Sequence, residues 1–247
     1  MGRKREIHKS GDKKAVVVGI LTHKGGVGKT FLANHLIYLL GGLDNKVLGV
    51  DYDTQGDLMK WATEYAWDGE DFIEMENFDL LYSPENLNAV EEYLYDYDFI
   101  VIDGRPAYRG IGHVLSFLDV LIVPVEGRLS FEGTRDILEI LSLISKEIDV
   151  LVVRNKLSRL SVDLNKKEKK VIETLVNEYG VELHIVSIVY SEAVRMAEMQ
   201  GKYAWEFPGH LGRGIAVSLG SVANWLNLNY GNGKVYKLAK KLRVENG

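Results

Sequence analysis

The chain has 247 residues, 46% of them hydrophobic, with 30 basic and 35 acidic side chains and a formal net charge of −5. That length and apolar content suffice for one sizeable core. The absence of cysteine excludes disulfides, cysteine-ligated iron–sulfur clusters and most zinc sites, and no apolar run is long enough to span a bilayer.

Met1-Gly2-Arg3-Lys4-Arg5 opens a basic N-terminal tail over residues 1–13. The first apolar run, Ala15 to Leu21, reads as a buried strand rather than as a signal peptide, so the expected location is the cytoplasm. His23-Lys24-Gly25-Gly26-Val27-Gly28-Lys29-Thr30 follows, and Phe31 to Leu40 reads as a helix. Strand, glycine-rich turn, Lys-Thr and helix is the arrangement that cradles a nucleoside triphosphate. Glycines let successive N–H groups converge on phosphate oxygens, and the helix N-terminus adds its positive dipole end. Gly25, Gly26, Val27, Gly28, Lys29, Thr30 and Phe31 are therefore the expected nucleotide contacts. Lys29 is expected to reach the β and γ phosphates and Thr30 to ligate Mg²⁺. The loop departs from the common pattern: His23 stands where a glycine is usual, and a second lysine, Lys24, follows it.

Further along, strands are expected at Lys46–Asp51, Phe78–Tyr82, Phe99–Asp103, Asp119–Pro124, Val150–Val153 and Leu183–Val189. Helices are expected from Ser83-Pro84-Glu85 onward and over Ser130–Lys146, Val162–Tyr179, Ser191–Gln200 and Gly214–Leu226. This alternation predicts an α/β fold: a single P-loop NTPase domain over 14–228, with a mostly parallel twisted sheet and helices on both faces. Residues 229–247 form a basic C-terminal tail, in which Val235, Leu238 and Leu242 fall on one stripe of a short amphipathic helix.

Phosphoryl transfer needs a metal anchor and a water positioner besides the loop. Asp103 ends a strongly apolar strand, the place for a carboxylate that holds Mg²⁺. Asp51 and Asp53 end and follow another. Asn155-Lys156-Leu157-Ser158 resembles the guanine-reading pattern Asn-Lys-x-Asp but has Ser158 at the carboxylate position, which favours ATP. Asn155 is a turn former or, where it matches an adenine-side asparagine of the ParA/MinD superfamily that the loop resembles, a base contact. Charge is segregated. No Lys or Arg occurs from Trp61 to Gly104, whereas Arg154, Lys156, Arg159, Lys166, Lys167, Lys169 and Lys170 cluster within seventeen residues. Such runs are solvated faces or offer surfaces to polyanions and to basic partners.

Lys24-Gly25-Gly26-Val27-Gly28-Lys29-Thr30 and Asp51-Tyr52-Asp53-Thr54-Gln55-Gly56 together resemble the deviant P-loop and switch I of the ParA/MinD superfamily. Weaker likenesses to plasmid-type ParA proteins lie at Phe131-Glu132-Gly133 and from Ser191 to Gly214. The resemblance implies a homodimer that sandwiches ATP, with Lys24 reaching the partner's nucleotide, Asp53 orienting the attacking water, and Asp51 supporting the metal shell beside Thr30 and Asp103. It also implies non-specific DNA as a partner, held by Arg154, Arg159, Lys166, Lys167, Lys170 and Arg195. A ParB-like or other centromere-binding adaptor with a basic N-terminal segment would trigger hydrolysis, with Glu91 and Glu92 on the recruiting surface, in a nucleoid-associated protein. A MinD-like membrane role through the C-terminal tail is the alternative, and a metabolic synthetase on the same scaffold is a third class. Two features differ from the pattern. Gly104-Arg105-Pro106 replaces the usual residues after Asp103; Gly104 is expected to loosen the turn and Arg105 to be either a surface residue or a sensor of nucleotide or partner. Phe31 follows Lys-Thr where many partition ATPases have a second threonine.

Overall fold

The computed structural model of the chain describes residues 13–84, 86–105, 111–127, 130–157, 161–179, 183–189, 191–207 and 210–235. Eight strands form one sheet: β1 (Val16–Ile20), β2 (Val47–Asp51), β3 (Phe72–Glu74), β4 (Asp79–Tyr82), β5 (Phe99–Asp103), β6 (Val120–Val125), β7 (Asp149–Leu157) and β8 (Leu183–Val189). Their order is β3-β4-β2-β5-β1-β6-β7-β8. All pairs are parallel except β3 with β4, so the mostly parallel α/β sheet is present. The central strands are near-continuous Val, Ile and Leu because both of their faces are covered.

The helices are α1 (Lys29–Gly41), α2 (Asp57–Ala62), α3 (Ile111–Phe117), α4 (Ser130–Ser142), α5 (Val162–Glu178), α6 (Glu192–Gln200) and α7 (His210–Asn229). One core layer joins α1, α2, α6 and α7 to one face of the sheet. The other joins residues 87–93, α3, α4 and α5 to the opposite face. α1 is buried almost all round, between sheet and α7, which explains its lack of a polar face.

Several elements differ from the sequence pattern. The helix expected from Ser83 instead begins at Leu87, as a 3₁₀ stretch to Tyr93; the Ser83 hydroxyl donates to Asn86 O at 2.8 Å and caps no amide. α2, β3 and α3 were not legible as separate elements. α7 is longer than the expected Gly214–Leu226. Residues 230–235, expected in a tail, are tied to the fold. Lys13 donates to Tyr230 O, and Asn232 donates to Leu43 O. Residues 236–247, with Leu238 and Leu242, lie outside the described set. No helix of the described residues is long and apolar enough to cross a membrane.

His35, in the middle of α1, is fully buried. Its Nδ1 lies 2.8 Å from Phe31 O, and its Nε2 accepts from the Ala204 N–H at 2.9 Å. These contacts require a neutral ring protonated at Nδ1. Phe31, Trp61, Tyr203 and Trp205 surround it with ring centroids 4.3–5.7 Å away. Burial drives its pKa from 6.5 down to about 3. The unfolded chain therefore takes up this proton more readily than the folded one. The associated stability is fully present above pH 6.5 and drains away as pH falls toward 3, by at most about 1.4 kcal/mol per pH unit. Urea unfolding at pH 7, 5.5 and 4.5 is expected to show this slope, and His35→Gln, though less stable at pH 7, is expected to lose that share of it.

Candidate functional site

Parallel strands present their C-terminal ends on one edge of the sheet, where α/β proteins bind ligands. Here Ile20 of β1 and Asp51 of β2 both stand level with Asp103 of β5. The glycine-rich loop leaves β1 at this point and turns into α1 through Gly28, whose φ of 92° and ψ of 34° are left-handed. A side chain at Gly28 would be strained and would also collide with the Asn155 amide. Lys29 follows as the first residue of α1. It is buried, and burial lowers its pKa, opposed by the nearby charges of Asp103 and Asp53.

Asp103 is buried at the end of β5. The Thr30 hydroxyl hydrogen-bonds its carboxyl, yet Oδ1 is buried with no hydrogen-bond partner. Burial, reinforced by the neighbouring Asp51 and Asp53 charges, pushes its pKa up to about 8. Asp51 is wholly buried and accepts three backbone hydrogen bonds. Oδ1 takes the Asp53 N–H at 3.1 Å, and Oδ2 takes those of Leu58 and Met59 at 2.9 and 3.1 Å. The same carboxylate thus caps α2 and anchors the segment 52–58, although burial still raises its pKa to about 6. Asp53 is half-buried and accepts from the Gln55 N–H at 3.1 Å.

This donor set fits a magnesium–nucleotide. The orphaned Asp103 oxygen beside a hydroxyl is a hard-cation ligand pair, and Lys29 and the loop N–H groups supply the positive side of a phosphate cradle. A bound divalent cation would neutralise charge that the buried carboxylates cannot shed into solvent. Lys24 is half-buried at the start of the loop, its N–H donating to Thr22 Oγ1 at 3.3 Å. The loop is braced from two sides. Gly133 of α4 packs against His23, where an added Cβ would stand 3.2 Å from the His23 Cβ. Asn155 donates to Val27 O at 2.8 Å, and its Oδ1 accepts from the Lys156 N–H at 2.9 Å. The Asn155 amide thus supports the loop through one N–H and one lone pair, with a second N–H and lone pair left over.

Other expected residues fall elsewhere. Arg154 is buried on β7, donates to Asn165 O and pairs with Glu168 at 3.7 Å. The alternation of β7 and the covering α5 take it out of any surface facing a polyanion. Lys166, Lys167 and Lys170 are exposed on α5. Arg195 is exposed on α6, 3.7 Å from Glu192. α5 and α6 pack on opposite faces of the sheet, so these lysines and Arg195 approach the molecular surface from different sides. Arg159 lies outside the described residues. Gly104 does not loosen its turn. Its N–H donates to Ile20 O at 3.2 Å, and a side chain there would collide with Leu21. Arg105 lies over the Tyr52 ring at 5.6 Å, beside the segment 52–58. The capping role of Asp51 and the contacts of Gly133 were missed in the sequence. The first turns on how the chain folds back after β2, and the second on a partner distant in the chain.

The family model described as the CobQ/CobB/MinD/ParA nucleotide binding domain matches residues 18–204. Among solved structures, the septum site-determining protein MinD of Pyrococcus horikoshii complexed with Mg-ADP is 18% identical, covering 90% of this chain and 100% of its own, with a TM-score of 0.64. A plasmid partition protein of Borrelia burgdorferi bound to AMPPNP is 19% identical over 83% of this chain and 98% of that one, TM-score 0.59. An ATP complex of a McdA variant of Cyanothece is 22% identical over 84% and 96%, TM-score 0.60. At these identities the structural likenesses establish the fold.

The raised Asp103 pKa has a measurable consequence. A carboxyl held above its unfolded value stabilises the fold at low pH and loses that contribution as pH rises toward 8. In the absence of nucleotide and magnesium, Asp103→Asn is expected to unfold a few degrees higher than the parent at pH 8.5, roughly 2–4 °C per kcal/mol relieved. The gap should narrow at pH 6.5, as read by thermal scans at both values.

Proposed function

Because the chain belongs to the CobQ/CobB/MinD/ParA nucleotide-binding domain family, we propose that it is a magnesium-dependent ATPase that closes into a sandwich dimer around ATP. In that state it binds DNA without sequence preference and segregates plasmid or chromosomal DNA with an adaptor protein. The observation that carries the reading is the meeting of Lys29, Thr30, Asp103 and Asp53 at the ends of β1, β2 and β5, with a second amine, Lys24, opening the same loop.

Thr30 and Asp103 hold the metal, and Asp51 supports its shell while tying the segment 52–58 to the sheet through three backbone N–H groups. Asp53 orients the attacking water, and Lys29 meets the β and γ phosphates. Lys24 reaches the partner's nucleotide, so that hydrolysis depends on assembly. The exposed Lys166, Lys167 and Lys170 of α5 contact DNA phosphates, with Arg195 contributing from the other face. The exposed Glu91 and Glu92 help to receive a basic segment of the adaptor.

Two measurements test this. Binding to random-sequence DNA is expected only with ATP and Mg²⁺, to fall steeply with salt, and to be lost in Lys24→Ala. Binding to anionic liposomes but not to DNA would favour a MinD-like membrane role instead. Joint replacement of Lys166, Lys167 and Lys170 by Glu is expected to weaken DNA binding at least about ten-fold. It should also flatten the log–log salt dependence by roughly two to three units, while leaving the unfolding temperature unchanged.

A further inference from the structure

At the ends of β6 and β7 a small polar group grips the glycine-rich loop from outside. Lys156 Nζ donates to Gly26 O at 2.6 Å and pairs with Glu126 Oε2 at 3.0 Å. One residue earlier, Asn155 donates to Val27 O at 2.8 Å. Two successive loop carbonyls are thus held by two successive side chains of one strand. The backbone is adjusted to allow it. Lys156 has a φ of 53°, in the left-handed region that a lysine rarely adopts, and the register between β7 and β8 shifts between Arg154 and Leu157. Local strain of this kind collects where a side chain must be aimed.

The geometry of the peptide unit supplies the consequence. In a trans peptide the carbonyl of one residue and the N–H of the next point in opposite directions in one plane, and no cis peptide is present among the described residues. Holding Gly26 O turns the Val27 N–H the other way, and holding Val27 O does the same for Gly28. Those two N–H groups then face away from β7, into the hollow of the loop. We propose that Lys156, with Glu126 as its counter-charge, is a positioning residue that presets the Val27 and Gly28 N–H groups for the phosphate oxygens of a nucleoside triphosphate. This rests on the nucleotide reading above. Its amine is taken up by a backbone carbonyl and a carboxylate, so it touches no phosphate itself. Its effect is on the shape of the cradle.

The half-exposed Lys156–Glu126 pair, taken as a surface ion pair alone, would be worth little. The two accounts separate on one substitution. Lys156→Gly removes the amine and also relieves the left-handed backbone. For the full chain with Mg²⁺ and a fluorescent non-hydrolysable ATP analogue, Lys156→Gly is expected to raise Kd about ten-fold while its unfolding temperature is unchanged or higher. Lys156→Arg, which keeps a donor and the charge, should recover most of the affinity, and Glu126→Gln should lose a smaller part of it. Parental affinity in Lys156→Gly would overturn the proposal, as would a weakened affinity accompanied by a matching fall in unfolding temperature. Failure of the parent protein itself to bind the analogue would overturn the nucleotide reading, and this proposal with it.

Discussion

Two carboxylates, Asp51 and Asp103, stand level with each other on neighbouring strands and are sealed from solvent. Placing like charges side by side in a medium of low polarity is unfavourable unless something compensates. The site is arranged around that constraint. Asp51 receives three backbone N–H groups, which both offset its charge and tie the segment 52–58 to the sheet. Asp103 has the Thr30 hydroxyl and the neighbouring Lys29, but one of its oxygens remains without a partner. The two acids thus divide the work: one is satisfied by the chain and organises it, and the other is left able to take a cation.

The same division runs through the packing. The loop is a backbone object, and its shape is set by what grips it. Gly133 closes on His23 from α4, and β7 holds two loop carbonyls. Lys29 then enters α1, the most deeply buried helix, whose His35 carries the register of α1 into the C-terminal third through Ala204. The Trp61 indole of α2 donates to Lys202 O in the same region. The helices α1 and α2, which follow the glycine-rich loop and the segment 52–58, therefore share one packed layer with Ala204.

Much of this was legible in the sequence, and what was not has a physical reason. Glycine spacing, Lys-Thr and a following apolar helix identify the phosphate loop because few backbones can bend that way. Asp103 stands out because a carboxylate ends an otherwise apolar run. α2 escaped notice because six residues carry no period, and its cap comes from Asp51, seven residues upstream of Leu58. Ser83-Pro84 looked like a helix start, but the hydroxyl turned to a carbonyl instead. Arg154 read as part of a basic face because composition does not say which way a strand residue points; its burial follows from β7 being covered by α5. Gly104 looked loose for want of its neighbour, Leu21, which only the pairing of β1 with β5 brings near. The misses concern contacts that no local pattern encodes, whether the partner is three residues away, as for Ser83 and Asn86, or on another strand, as for Gly104 and Leu21.

The aromatic nest around His35 has a spectroscopic consequence. Trp61 sits on the helix that follows β2, with its indole fixed by Lys202 O and its ring edge-on to the His35 imidazole. Trp205 stacks on Tyr203 with an interplanar angle of 4°. Indole emission depends on polarity and on nearby quenching groups, so rearrangement of the segment 52–58 changes the surroundings of a native chromophore. The protein carries its own optical reporter of the segment 52–58, with no label to attach.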